Sequence, residues 1–150
     1  HSRSGAPGLS GMKYHAPSAG DTLALGLRIG RHVRPGLVIS LQGPLGSGKT
    51  TLVKGIAEAL GITEAVTSPS FTLISEYTAS LPLYHMDLYR IASTEEFELL
   101  GAEEMMYGDG VTLVEWGEKV ADLLPDDAVV IRFVVRDNGS RDITIDGMEL

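Results

Sequence analysis

Residues 43–50 read Gly-Pro-Leu-Gly-Ser-Gly-Lys-Thr, a complete G-x-x-x-x-G-K-[ST] phosphate-binding loop. A triphosphate needs several donors converging on it without side chains blocking the approach, and Gly43, Gly46 and Gly48 clear that path. The loop amides across Leu45, Gly46, Ser47 and Gly48, with Lys49, Thr50 and Thr51 at the positive end of the following helix, then face the phosphates. The Lys49 ammonium reaches the β and γ oxygens, and the Thr50 hydroxyl can ligate Mg2+. The bland alternative is a glycine-rich turn without a ligand. The apolar, β-branched run Leu37-Val38-Ile39-Ser40-Leu41 before the loop and the helical spacing of Leu52, Val53, Ile56, Ala57 and Leu60 after it argue against that.

Two acids stand directly after apolar runs: Asp87 after Leu83-Tyr-His-Met86, and Glu115 after Val111-Thr-Leu-Val114. In open α/β sheets ligands bind beyond the carboxyl ends of strands, so either acid can serve Mg2+ or the attacking water. An apolar strand running straight into an acid is how phosphate-loop enzymes bring a carboxylate to the metal, which assigns Mg2+ to Glu115 and the water to Asp87. The competing reading for each is a strand-end cap or a surface ion pair. His85 reads as a hydrogen-bonded strand histidine rather than a metal ligand, because no second His or Cys stands at ligand spacing.

The elements that must hold these residues follow from local signals. A helix is predicted from about Thr22 to Val33, opened by Ser18 or Asp21 and stopped at Pro35-Gly36. After the loop strand and helix, Gly61 is the expected cap, residues 67–72 a loop, and Leu73 to Tyr77 a strand pairing antiparallel with Leu83 to Met86. Ser93-Thr-Glu-Glu96 is a capping box opening a helix through Leu100. A further helix is expected around Glu118 to Leu124. Strands Ala128 to Val135 and Asp142 to Ile145 are joined by the turn Asp137-Asn-Gly-Ser140. Alternating strands and helices predict a three-layer α/β fold with a mainly parallel central sheet, extended by antiparallel hairpin strands.

Composition sets the remaining bounds. With 150 residues and 43% hydrophobic content the chain suits one compact domain over 12–150, with residues 1–11 expected as a tag or disordered leader. The chain has no cysteine, which excludes disulfides, zinc-thiolate sites and thiol catalysis. Without a signal peptide or an apolar run near the ~20 residues of a membrane helix, the expected setting is cytoplasmic, with no membrane contact. The net charge is −8, and residues 94–127 hold eleven acids against one base, Lys119. That flank repels a phosphate backbone; it is a solvated acidic surface or a dock for a basic partner. Arg28, Arg31, His32 and Arg34 make too small a basic patch for independent nucleic-acid binding.

Four separated segments and one upstream threonine carry a resemblance over nearly the whole chain from Met12. Thr22, the loop Gly43 to Thr51, Ser68-Pro-Ser-Phe71, His85-Met-Asp-Leu-Tyr-Arg90 and Glu115-Trp116 occur in the order found in the bacterial TsaE (YjeE) family of small ATPases. Pro44, Ser47 and Ser70 depart from the family's usual residues; Pro44 deletes one backbone donor and none removes a side-chain phosphate contact. The resemblance implies a P-loop NTPase fold and ATP hydrolysis in support of threonylcarbamoyladenosine formation at position 37 of tRNAs reading codons that begin with A. It implies ATP and Mg2+ as cofactors, TsaD and TsaB as partners, and contact with tRNA only through that complex. Residue by residue, it puts phosphates on Lys49 and the loop, Mg2+ on Thr50 and Glu115, and hydrolysis on Asp87. It places Thr22 near the nucleotide and makes 67–72 a segment that senses the γ-phosphate. Trp116 is either an ATP contact or a packed indole.

Two other readings use the same loop. A small-molecule kinase would need an arginine-rich lid, yet Arg90 is the only arginine between residues 88 and 131. A nucleotide-sensing adaptor would bind ATP without appreciable turnover. A GTPase is disfavoured because the single asparagine, Asn138, cannot supply an Asn-Lys-x-Asp motif.

Overall fold

The computed structural model describes residues 11–69 and 73–150. The expected leader therefore falls, Gly11 apart, outside the described residues, as do Ser70, Phe71 and Thr72 of the segment 67–72. The elements in chain order are β1 (Met12–Ala16), α1 (Ala19–Gly30), β2 (Val38–Gln42), α2 (Lys49–Ala59), β3 (Ile74–Tyr77) and β4 (Leu83–Asp87). There follow α3 (Thr94–Leu99), α4 (Ala102–Met106), β5 (Val111–Glu115), a 3-10 helix (Gly117–Leu123), β6 (Val129–Val135) and β7 (Arg141–Asp146).

Among the described residues seven strands form one sheet in the order β1-β7-β6-β2-β5-β4-β3. Its centre, β6-β2-β5-β4, is parallel, as nearly continuous apolar strands require when both faces are covered. The β6-β7 hairpin, β1 beside β7, and β3 beside β4 add the antiparallel pairs. Alternation along the central strands feeds two cores. Ile39, Leu41, Leu113 and Ile131 pack on one face with Leu25 and Ile29 of α1 and Leu52, Val53 and Ile56 of α2. Val38, Met86 and Val114 point to the other face, where Phe97, Ala102, Met106 and Val120 cover them. The three-layer α/β architecture expected from the sequence is thus present.

Local chemistry sets the boundaries. Ser18 caps α1 in a reciprocal box: its hydroxyl accepts Asp21 N–H, and Asp21 Oδ2 accepts Ser18 N–H at 3.1 Å. The helix ends at Gly30 rather than Val33, and the His32 ring bonds the Arg28 carbonyl at 2.9 Å. Gly61 follows the α2 cap as expected, giving its N–H to Glu58 O. Leu73, expected to open β3, sits instead at φ 65°, so the strand starts one residue later. Ser93 caps α3, its hydroxyl accepting Glu96 N–H, but the expected box does not close because Glu96 Oε2 accepts Ala92 N–H instead, and the chain then breaks at Gly101 into a second short helix, α4. The helix expected over 118–124 is a 3-10 helix with non-helical φ/ψ at Val120. Its first residue is pressed onto β2, where a side chain on Gly117 would collide with the Ser40 hydroxyl.

The pair α1–α2 crosses at glycines. A Cβ on Gly26 would strike the Leu52 carbonyl and stand 2.9 Å from Gly55 Cα, and one on Gly55 would strike the Leu23 carbonyl. Backbone meets backbone there, which sets how closely α1 presses the helix that follows the phosphate loop. Gly26→Ala should lower stability by about 1–3 kcal/mol through overpacking, although alanine gains ~1 kcal/mol in helix propensity. Urea unfolding measures the balance, and an unchanged or raised midpoint would contradict this account of the crossing.

Candidate functional site

Parallel pairing brings the chemistry to one end of the sheet. β2 delivers the loop, and in the register of β4 and β5 Asp87 pairs with Glu115. Along β5, Glu115 shares the face of Val111 and Leu113, the face covered by α2, so its carboxylate points at the start of that helix. The result is a cavity of about 260 Å3 lined by Leu45, Gly46, Ser47, Gly48, Lys49, Thr50, Thr51, Ser68, Asp87, Glu115, Trp116 and Arg141.

The loop bends through left-handed conformations that suit glycine, with φ 73° at Gly46 and 104° at Gly48, the N-cap of α2. Lys49 folds back inside it: Nζ donates to Gly43 O at 2.5 Å and Pro44 O at 3.2 Å, and lies 3.8 Å from the centroid of the Trp116 ring. Lys49 is only 4% exposed. Burial lowers its ammonium from the ordinary range, while the carboxylates of Glu115, Glu118 and Asp87 pull the other way. A desolvated cation over a π face is attracted by about 2 kcal/mol or more.

A line of side-chain hydrogen bonds crosses the cavity floor. Thr50 Oγ1 donates to Glu115 Oε2 at 3.0 Å and lies 3.3 Å from Ser68 Oγ, which in turn donates to Asp87 Oδ2 at 3.3 Å. Asp87 Oδ1 accepts the Tyr89 N–H at 3.0 Å, and Arg90 is exposed. Glu115 is 3% exposed, and His85 Nε2 reaches its Oε2 at 2.6 Å. His85 is therefore the hydrogen-bonded strand histidine expected from the sequence.

This donor set fits a hard cation. A hydroxyl and a carboxylate oxygen face each other at the floor, and among the described residues no group of three His, Cys, Asp or Glu side chains forms a metal cage. Mg2+ suits such a place, since it takes one or two protein oxygens and fills the rest with water and phosphate.

Trp116 is brought to the cavity wall by an unusual backbone. It sits at φ 63°, ψ 33°, a left-handed conformation that costs a non-glycine residue about 1–2 kcal/mol. The turn folds the half-buried indole back over Lys49, with the Tyr89 ring tilted against it at a centroid distance of 5.1 Å. Thr22 lies behind Gly48, where a Cβ on that glycine would stand 3.5 Å from Thr22 Cγ2. Its hydroxyl is buried and has no hydrogen-bond partner among the described residues, and Thr22 does not line the cavity.

Arg141 escaped the sequence reading. From β7 it donates through Nε to Ser47 O at 2.8 Å and through Nη2 to Gly46 O at 3.1 Å. No local signal marks it, because the contact spans 94 positions and depends on where the hairpin docks.

Three comparisons bear on this arrangement. A family model described as threonylcarbamoyl adenosine biosynthesis protein TsaE matches residues 16–143. The chain is 49% identical to the tRNA threonylcarbamoyladenosine biosynthesis protein TsaE of Treponema pallidum, over 89% of this chain and 99% of that protein. It is 42% identical to the protein of the same name from Bacillus subtilis, over 89% and 84%. Its fold is similar to the crystal structure of Bacillus subtilis YdiB, with a TM-score of 0.78 and 38% identity over 90% of this chain and 84% of that one. Among the described residues no helix is long and apolar enough to cross a membrane.

Arg141→Ala should weaken ADP binding about tenfold or more, the size of a lost charged hydrogen bond to the loop. Calorimetric titration measures it; a change under twofold would mean that the loop keeps its shape without Arg141.

Proposed function

The chain belongs to the TsaE family, and from that membership and the cavity's contents we propose that it is a Mg2+-dependent ATPase serving threonylcarbamoyladenosine formation at position 37 of tRNAs that read codons beginning with A. One observation carries the reading: Lys49, Thr50, Glu115 and Asp87 converge on a single cavity at the phosphate loop. ATP is the substrate, with its phosphates held by the amides of Leu45 to Thr51 and by the Lys49 ammonium. Trp116, on the cavity wall, stands close to it, and Thr22 lies one layer further back, behind Gly48.

Thr50 Oγ1 and Glu115 would hold Mg2+, which when bound would offset the negative charge of the phosphates. Lys49 stabilises the charge that develops as the γ-phosphoryl leaves. Asp87, with its carboxylate fixed by Tyr89 N–H, orients the attacking water and accepts its proton. Breaking the bond from the γ-phosphorus to the bridging oxygen gives ADP and phosphate, and the water supplies the new oxygen. The partners are TsaD and TsaB, the setting is cytoplasmic, and tRNA is met only through the complex. The acidic flank 94–127 agrees with that indirect role, since it repels a phosphate backbone.

Steady-state ATP hydrolysis, alone and with purified TsaD and TsaB, tests the proposal with Lys49→Ala as the blank. Slow turnover that rises with the partners is expected, and turnover that stays at the blank with active partners would sink it. Asp87→Asn should cut kcat by about 10²–10⁴ while ATP affinity stays near that of the unmodified chain. Intact turnover in that variant would take the proton-accepting role from Asp87.

A further inference from the structure

The strand that ends in Asp87 carries a residue that its core position does not explain. His85 is fully buried on β4, on the face of Leu83, which packs in the α2 core. In the parallel register it lies beside Leu113, two residues before Glu115, so its ring reaches diagonally forward to that carboxylate. A carboxylate can only accept, so His85 Nε2 carries the proton and donates it to Glu115 Oε2. The other nitrogen, Nδ1, is buried and has no hydrogen-bond partner among the described residues. An apolar side chain would fill this place without stranding a polar atom, which leaves the bond to Glu115 as what the histidine contributes.

Glu115 Oε2 accepts from two sides, His85 on β4 and Thr50 at the start of α2. The Thr50 bond is the one that a cation between hydroxyl and carboxylate would replace, and the His85 bond is the one that persists. We propose that His85 is a positioning residue for the divalent cation: it touches neither metal nor nucleotide, and it fixes the Glu115 carboxylate in the orientation that faces Thr50. Outer-shell donors of this kind typically change metal affinity 10–100-fold when removed. The inference rests on the reading of Glu115 as a Mg2+ ligand.

The test counts bound metal directly. Mn2+, a probe for the Mg2+ site, is titrated into the ADP-saturated protein, and free Mn2+ is read by electron paramagnetic resonance. ADP affinity in EDTA is measured alongside by calorimetry, and thermal melting confirms folding. His85→Gln places its amide nitrogen as many bonds from Cβ as Nε2, His85→Asn falls one bond short, and His85→Leu removes the donor. His85→Leu and His85→Asn should raise the Mn2+ half-saturation about tenfold or more with metal-free ADP affinity unchanged, and His85→Gln should restore it. If His85→Leu fails to fold, the contrast between Asn and Gln carries the result. Equal half-saturation in Asn and Gln variants, or equal loss of ADP binding in EDTA, overturns the proposal. Glu115→Gln separates the two readings. If that variant keeps the Mn2+ affinity of the unmodified chain, the assignment of Glu115 falls and this inference with it; if it loses that affinity while the His85 variants do not, only the inference falls.

Discussion

A loop that binds anions through its amides must keep its carbonyl oxygens out of the way, and in this protein two cations hold them. Lys49 takes the oxygens of Gly43 and Pro44 from inside, and Arg141 takes those of Gly46 and Ser47 from the β7 side. With carbonyls held, the loop amides and the positive end of α2 are left as the donors a phosphate meets. The two cations differ in what they can do next. Arg141 is a planar fork with two simultaneous bonds to the loop and a third to Gly139 O, suited to staying in place, whereas Lys49 is a flexible point charge whose burial already lowers its ammonium from the usual range. A phosphate that meets Lys49 gives this buried ammonium a counter-charge.

The carboxylates answer to the sheet rather than to the loop. Because β4 and β5 run parallel and in register, Asp87 and Glu115 end side by side, and two-residue alternation turns both to the α2 face. Burial then separates them. Glu115, closed in by Thr50 and His85, is held in one orientation, whereas Asp87 is only half-buried and bound to a backbone amide and a serine. A rigid carboxylate suits a metal, and a more accessible one suits a water.

What the sequence revealed about this arrangement was what depends on near neighbours. The loop spelling, the apolar run of β2, the acids closing β4 and β5, the Ser18 and Ser93 caps and the Gly61 stop all rest on contacts within a few residues, and each was legible. The misses rest on distant contacts. β1 has no strong strand pattern and exists because β7 offers it an edge; Met12-Lys-Tyr-His-Ala16 pairs with residues 141–145. The 118–124 segment has helical spacing, but close packing of Gly117 on Ser40 and the left-handed turn at Trp116 tighten it into a 3-10 helix. Arg141 becomes a loop residue only once the hairpin has docked.

That docking has a consequence for how the protein is made. The loop, its strand and its helix are complete by residue 59, yet the guanidinium that holds two of the loop's carbonyls arrives on β7, which also supplies the edge for β1. Contacts so distant in sequence form late, because the chain between them must be ordered first. A partly synthesised chain that stops before residue 141 therefore carries the whole phosphate-binding sequence without the brace that shapes it. Shaping of the phosphate loop therefore waits on β7, which ties its final form to the docking of the hairpin.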